Sequence, residues 1–238
     1  MKEKIALVTG SSRGIGREIA LGLADVVSAV AVHYKDNRKT AEAVVKEIRE
    51  KKKLSASFRA DLTKESEAIA LIKRVEKKFK KLDILVNNFG PILIKSWEKI
   101  APSEWDFILK GNLASALSCL KAVLPGMRKR KWGRIINLGY SRAEQLVAFP
   151  TITPYAIAKT GLLILTRTAA ATEASEGITV NMVSPGLIEG GILPGKKNIP
   201  QRKLGKFRDV AEAVLFLISE EAHFITGTNL IVAGGWKI

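Results

Sequence analysis

The chain reads as an α/β protein, a single doubly wound parallel-sheet domain with helices on both faces. Three observations carry this reading. Apolar, β-branched runs alternate with helix-spaced segments along the whole sequence. A glycine-rich turn follows the first apolar run directly and opens the first helical segment. No composition break, internal repeat or linker divides the 238 residues. With 47% hydrophobic and 26% charged residues the chain can bury a large core. Its one cysteine, Cys119, excludes a disulfide scaffold and a cysteine-based zinc site, and suits a reducing compartment.

In chain order, strands are expected at 5–9, 29–34, 84–87, 134–138, 179–183 and 229–232, each an apolar run followed by turn residues. A weaker candidate lies at 55–58. Helices are expected at 17–23, at 40–51 (Ala41, Val44, Val45 and Ile48 recur at three and four), at 65–79 (Ile69, Ile72, Val75, Phe79), at 155–170 and at 209–219. Cys119 falls in a helix after Asn112. Residues 186–205, rich in breakers and basic side chains, read as a loop inside the domain. The first residues lack the layout of a signal peptide, and no run approaches eighteen apolar residues, so the expectation is a cytoplasmic protein without a membrane span.

Charge is lopsided: 39 Lys and Arg against 23 Asp and Glu give +16 and a pI near 10.0. That is a nucleic-acid footprint, but the basic residues come in scattered short runs (51–53, 77–81, 128–131, 196–206). Aromatics are only 6% and do not interleave with those runs as a stacking platform. Solvated faces, or an acidic protein partner, fit better than nucleic acid.

The turn Gly10-Ser11-Ser12-Arg13-Gly14-Ile15-Gly16 joins the first strand to a helix. Glycines let backbone approach a pyrophosphate, free N–H groups point outward, and the helix dipole favours the negative charge. The spacing is Gly-x-x-x-Gly-x-Gly after a threonine. Further on stand Asp61-Leu62, Asn87-Asn88-Phe89-Gly90, Asn112 in Gly-Asn-Leu, Tyr155-x-x-x-Lys159, Ser184-Pro185-Gly186, Ile225-Thr226-Gly227 and Gly234-Gly235. In that order and spacing the chain resembles the short-chain dehydrogenases/reductases, and within them the 3-oxoacyl-carrier-protein reductase type, over essentially its whole length. The resemblance implies a Rossmann-type domain, a homotetramer, and an NADP(H) cofactor on Gly10–Gly16, Tyr34, Arg38, Asp61, Leu62, Asn88, Gly90, Tyr155, Lys159, Pro185, Gly186 and Ile188.

An acidic residue ending the second strand would bind the ribose of NAD. That place holds Tyr34, followed by Lys35, Asp36 and Arg38, and Arg13 sits inside the glycine turn. The extra phosphate of NADPH is therefore expected to be neutralised by cations, with Asp36 as counter-evidence two places further on.

Tyr155 and Lys159, four apart on a helix, share one face. A free phenol titrates near ~10, and an adjacent ammonium is expected to bring it toward neutrality. The resemblance makes Tyr155 the acid–base group, Lys159 also a ribose ligand, and Asn112 the holder of a water that relays protons. It also implies a serine, twelve or thirteen residues before the tyrosine, that polarises the substrate carbonyl. Here Tyr140 occupies that slot, and Ser141 follows it; the intervals are fifteen and fourteen. Ser141 swung into the slot is the first choice, the Tyr140 hydroxyl the second, and a slot without catalytic function a third.

Phe89 and Pro91 flank Gly90 and are expected to narrow the nicotinamide side. Gly190 replaces a threonine of the family, leaving the Ile188 backbone to hold the carboxamide. The substrate loop, about 187–205, is short and basic (Lys196, Lys197). His33 and His223 have no metal spacing and read as structural; no metal site is expected. Trp236 is expected at a subunit contact. The function expected is NADPH-dependent reduction of a ketone, first a 3-oxoacyl thioester on acyl carrier protein, alternatively another carbonyl or a pterin-like C=N bond. A nucleotide-binding regulator or RNA-binding protein on the same fold is the non-enzyme alternative.

Overall fold

A computed structural model describes residues 1–191 and 199–236. Seven strands, β1 (Ile5–Val8), β2 (Ala29–Tyr34), β3 (Leu54–Arg59), β4 (Ile84–Asn87), β5 (Gly133–Leu138), β6 (Ile178–Pro185) and β7 (Asn229–Val232), form one sheet in the order β3-β2-β1-β4-β5-β6-β7. Every pairing is parallel; Leu7 stands beside Ala31 on one side and Leu85 on the other. The weak third candidate is thus a full strand at one edge. Only Ser55 and Phe58 of it are buried, which is why its apolar signal is faint.

Helices α1 (Gly14–Val26), α2 (Arg38–Glu50) and α7 (Phe207–Ile218) cover one face. Ala6 and Val8 of β1 point to that side, among Ile19, Leu23, Val44, Ile48, Val214 and Leu217. On the other face Leu7, Leu85 and Ile135 meet Leu71 and Ile72 of α3 (Glu65–Phe79) and Val123 and Met127 of α5 (Ser115–Arg130), with Ala169 and Ala170 of α6 (Thr153–Glu173). Alternate residues of one strand therefore feed two cores, as the two-residue side-chain period requires.

The sequence reading passes over α4 (Pro102–Leu109), whose apolar spacing is weak, and the π-helical turn Lys110–Ala114 that runs from it into α5. Taken end to end, Pro102–Arg130 is long and apolar enough to cross a membrane by length and composition. Here Cys119, Leu120, Val123, Leu124 and Met127 are buried in the core, as in an inner helix of a globular protein.

Candidate active site

Strand order reverses at β1 and β4, and the loops leaving their carboxyl ends form a crevice of the kind where α/β sheets bind ligands. The turn after β1 is clamped from behind. The Asn88 amide donates to the carbonyls of Thr9 (2.8 Å) and Gly10 (3.2 Å), and Thr9 Oγ1 accepts the backbone N–H groups of Asn88 and Phe89, both at 2.9 Å. A methyl at Gly16 would overlap the Asn88 amide and stand 2.6 Å from the Gly10 carbonyl, so only glycine allows the helix to start this close. At Gly14 the backbone is left-handed (φ +56°), and no atom lies within 4 Å of where a Cβ would stand. The turn is open there, beside exposed Arg13 and a first helical turn free of carboxylates.

Two residues of the turn are set differently from the expected row of outward groups. Gly10 N–H does not point outward; it donates to Nδ1 of buried His33 at 2.8 Å. Ser11 is fully buried, its hydroxyl donating to Val8 O (2.7 Å) and accepting His33 N–H (3.0 Å), so it shapes the turn from beneath. Ile15, in the first turn of α1, packs against the core, and Ser12 is half-buried at the rim.

At the end of β2 the Tyr34 ring belongs to the core, which leaves no carboxylate there. Lys35, absent from the expected ligands, reaches Asp61 at 3.0 Å. Asp61 also accepts from Thr63 N–H and Oγ1 (3.1 and 2.7 Å). Burial opposes its charge, but the bonds from Thr63 and Lys35 prevail and hold its pKa at about 2. Its acceptors are thus engaged within the chain. Leu62 is buried, and Arg38 is exposed on α2, 3.7 Å from Glu42.

Tyr155 and Lys159 lie one turn apart on α6, with Pro154 in the first helical positions. Buried Lys159 donates from Nζ to the Leu138 carbonyl at 2.7 Å and stands 5.5 Å from the centre of the Tyr155 ring. Burial brings its pKa down from 10.5 to about 7. Burial also pushes the Tyr155 phenol above its usual range, and the neighbouring Tyr140 phenol adds to this. The expected lowering of the tyrosine pKa by Lys159 is therefore not found: desolvation outweighs an ammonium that is itself half deprotonated near neutrality. Tyr155 is a phenol, ready to give a proton.

The π-helical turn presents Asn112 to the same spot. Its amide donates to the carbonyls of Pro91 (2.7 Å) and Ile108 (3.0 Å), while its buried Oδ1 has no partner among the described residues. A methyl at Gly90 would overlap that oxygen and lie 3.3 Å from Lys159 Nζ, so Gly90, Asn112 and Lys159 converge. An orphaned acceptor, a glycine floor and a cation beside a phenol fit the nicotinamide end of a dinucleotide, as the open turn at Gly14 fits its phosphates. Phe89 departs from expectation: its ring lies edge-on to His33 (centroids 6.4 Å) and packs on the core, while Pro91 abuts Gly111.

Of the two candidates in the serine slot, Tyr140 is the one brought against Tyr155, ring centres 5.7 Å apart and edge-on. Ser141 is anchored by its N–H to the Pro185 carbonyl (3.1 Å), and its Oγ is buried with no partner among the described residues, as is Asn112 Oδ1. Tyr140, the second choice made from sequence, is thus the residue whose ring faces Tyr155. Burial raises the Tyr140 pKa, and a hydrogen bond from Arg142 to its oxygen offsets part of that. Around it, Phe149, Ile152, Leu187, Ile199 and Trp236 form an apolar wall. Trp236 is thus buried within its own chain rather than left for a subunit contact.

Gly186 donates to Val232 O (2.9 Å) and packs on Ala233, where a methyl would not fit. The Ile188 carbonyl accepts Gly191 N–H, and Gly190 has φ +70°, a conformation that a threonine would resist. Lys196 and Lys197 of the expected lid lie outside the described residues. Among the described residues no cluster of metal-ligating side chains occurs.

The family model described as Enoyl-(Acyl carrier protein) reductase matches residues 10–237. The 3-oxoacyl-[acyl-carrier-protein] reductase FabG of Staphylococcus aureus is 39% identical over 98% of this chain and 97% of its own length. That of Haemophilus influenzae is 37% identical over 99% and 98%. Among solved structures, a putative short-chain alcohol dehydrogenase from Sinorhizobium meliloti superposes with a TM-score of 0.93 at 30% identity, covering 99% of this chain and 97% of that one. A blue fluorescent protein from a metagenomic library, in complex with NADPH, gives 0.92 at 28% identity over 100% and 99%. Likeness of this extent in sequence and in backbone, over a site where phenol, lysine and asparagine meet at a glycine floor, means that the chain belongs to the short-chain dehydrogenase/reductase family and is a nicotinamide-dependent oxidoreductase.

Proposed function

We propose that the protein reduces a ketone to an alcohol with NADPH, and that its substrate is a 3-oxoacyl thioester carried on acyl carrier protein. The observation that carries the chemistry is the pair of phenols, Tyr140 and Tyr155, with ring centres 5.7 Å apart beside Lys159 and Gly90. When bound, the cofactor supplies the hydride to the carbonyl carbon. Tyr155 gives its phenolic proton to the carbonyl oxygen. Tyr140, whose oxygen accepts from Arg142 and whose O–H is thereby a better donor, steadies the charge that develops on that oxygen. Lys159, when protonated, stabilises the phenolate left on Tyr155, and the orphaned Asn112 Oδ1 holds the water that returns a proton.

NADPH is supported by exposed Arg13 at the helix start, by Lys35, and by the missing carboxylate at Tyr34. The acyl-carrier substrate is supported by the names of the two relatives and by a net charge of +16, which would attract an acidic carrier. A cytoplasmic homotetramer completes the reading. The wall of Tyr140, Phe149 and Trp236 favours, as a second reading, a flat ring substrate such as a pterin-like C=N compound.

The test is oxidation of NADPH in the presence of acetoacetyl-acyl carrier protein, of simple ketones and of a dihydropterin. Turnover with the thioester is expected, falling by ~10²–10⁴ in Tyr155→Phe, the usual worth of a positioned acid. Near-native turnover by that variant refutes the proton route, and turnover with the pterin alone moves the substrate to the second reading.

A further inference from the structure

We infer that His33 is a positioning residue for the cofactor turn: a neutral imidazole with Nδ1 bare, which turns the Gly10 amide inward and ties the phosphate-side loop to the loop after β3. The inference rests on the cofactor reading given above and deepens it. His33 is buried near the end of β2 and has four hydrogen bonds, three of them to the glycine turn. Its N–H donates to Ser11 Oγ (3.0 Å), its carbonyl accepts Ser11 N–H (3.0 Å), and its Nδ1 accepts Gly10 N–H (2.8 Å). The fourth runs from Nε2 to the Ala60 carbonyl (3.1 Å), immediately before Asp61.

These partners leave one tautomer. A backbone N–H can only donate, so Nδ1 must present its lone pair; a carbonyl can only accept, so Nε2 must carry the hydrogen. A protonated ring would set an N–H against the Gly10 N–H and break the turn. The groups facing the ring suit neutrality: Gly10, the Ala60 carbonyl, and the edge-on Phe89 ring. The charged groups nearby, Arg74 on α3 and Asp61, pull in opposite directions, and burial brings the pKa down to about 4.

The consequence for the cofactor is geometric. With its own N–H fixed inward, Gly10 adopts φ +63° and carries the chain outward to the open stretch at Gly14. The Nδ1 acceptor thus fixes the path of the phosphate-side turn, and that path sets affinity without touching the reacting end, while the bond from Nε2 to Ala60 only holds the ring in place.

Two substitutions separate the bonds. Asn places its oxygen near the site of Nδ1, and Gln places its nitrogen near the site of Nε2. His33→Asn is expected to bind NADPH within about threefold of the parent protein, by fluorescence titration. His33→Gln, which strands the Gly10 amide, is expected to bind at least tenfold more weakly, with a raised KM for NADPH and kcat at saturating NADPH within about twofold. Equal losses in both variants, or a fall in kcat that accompanies the loss of affinity, overturn the inference. Independently of any variant or ligand, nitrogen NMR of the parent protein at pH 6 should show His33 with Nδ1 bare and Nε2 protonated; an Nδ1–H tautomer or a charged ring overturns it. Failure of the parent protein to bind NADPH would instead refute the cofactor reading, and the ring tautomer would still decide the role of His33.

Discussion

Replacing Lys159 with methionine should make the protein more stable while removing its activity. The lysine is buried, and its pKa lies at about 7 against 10.5 for the free side chain. A base whose folded pKa is lowered binds fewer protons folded than unfolded, so it destabilises the fold wherever the unfolded lysine is charged. Between those two values the penalty is relieved as pH rises; below about 7 it is present almost in full. Its size is roughly 4 kcal/mol at neutral pH, from about 1.4 kcal/mol per pH unit. Methionine removes the penalty but strands the Leu138 carbonyl, which Lys159 serves at 2.7 Å, at a cost of about 1 kcal/mol. The expected net gain is roughly 3 kcal/mol, a rise in melting temperature on the order of 5–10 °C for a chain of this length. Thermal and urea unfolding of both proteins from pH 6 to 9 measure it. The gap should be widest at pH 6–7 and about a third as large at pH 9, where the penalty has fallen to roughly 2 kcal/mol against the same cost of about 1 kcal/mol. A variant less stable than the parent at pH 7, or a gap independent of pH, would show that Lys159 is not strained by burial.

The remaining expectations concern the reacting end and the cofactor. Tyr140→Phe should lower turnover more than tenfold and Ser141→Ala less than threefold, since the Tyr140 ring faces Tyr155 while Ser141 is held by its backbone to Pro185; the reverse ranking in steady-state assays restores the serine. Gly90→Ala should cost at least tenfold in kcat, because its methyl overlaps the Asn112 oxygen and crowds Lys159 at 3.3 Å; a fully active variant refutes the convergence of these groups. NADPH should bind at least tenfold more tightly than NADH, about 1.4 kcal/mol, and Arg13→Ala should erase most of that difference. Equal dissociation constants in the parent protein would place Asp36 on the ribose instead.

The sheet was legible because fully buried parallel strands are continuous apolar runs, and β2 and β4 end where those runs end. The edge strand β3, wet on part of its surface, and α4, short and weakly periodic, carry less of that signal. In the site, backbone-driven features could be read: a glycine turn between strand and helix, and a phenol and lysine one helical turn apart. Which way a neighbour faces could not. Tyr140 and Ser141 stand side by side, and which of them faces Tyr155 is decided by Pro185, which anchors the serine N–H, and by Phe149, Ile152 and the distant Trp236, which close around the tyrosine ring. The pKa of Tyr155 was misjudged for the same reason. Spacing brings a lysine near it, but burial acts on both partners and takes the charge from the lysine before it can draw the proton from the phenol. His33 shows the limit most sharply. A lone histidine in an apolar strand has no motif, yet alternation along β2 puts it on the same face as Ala31, beneath the turn leaving β1, where its ring supplies the acceptor that the Gly10 amide needs.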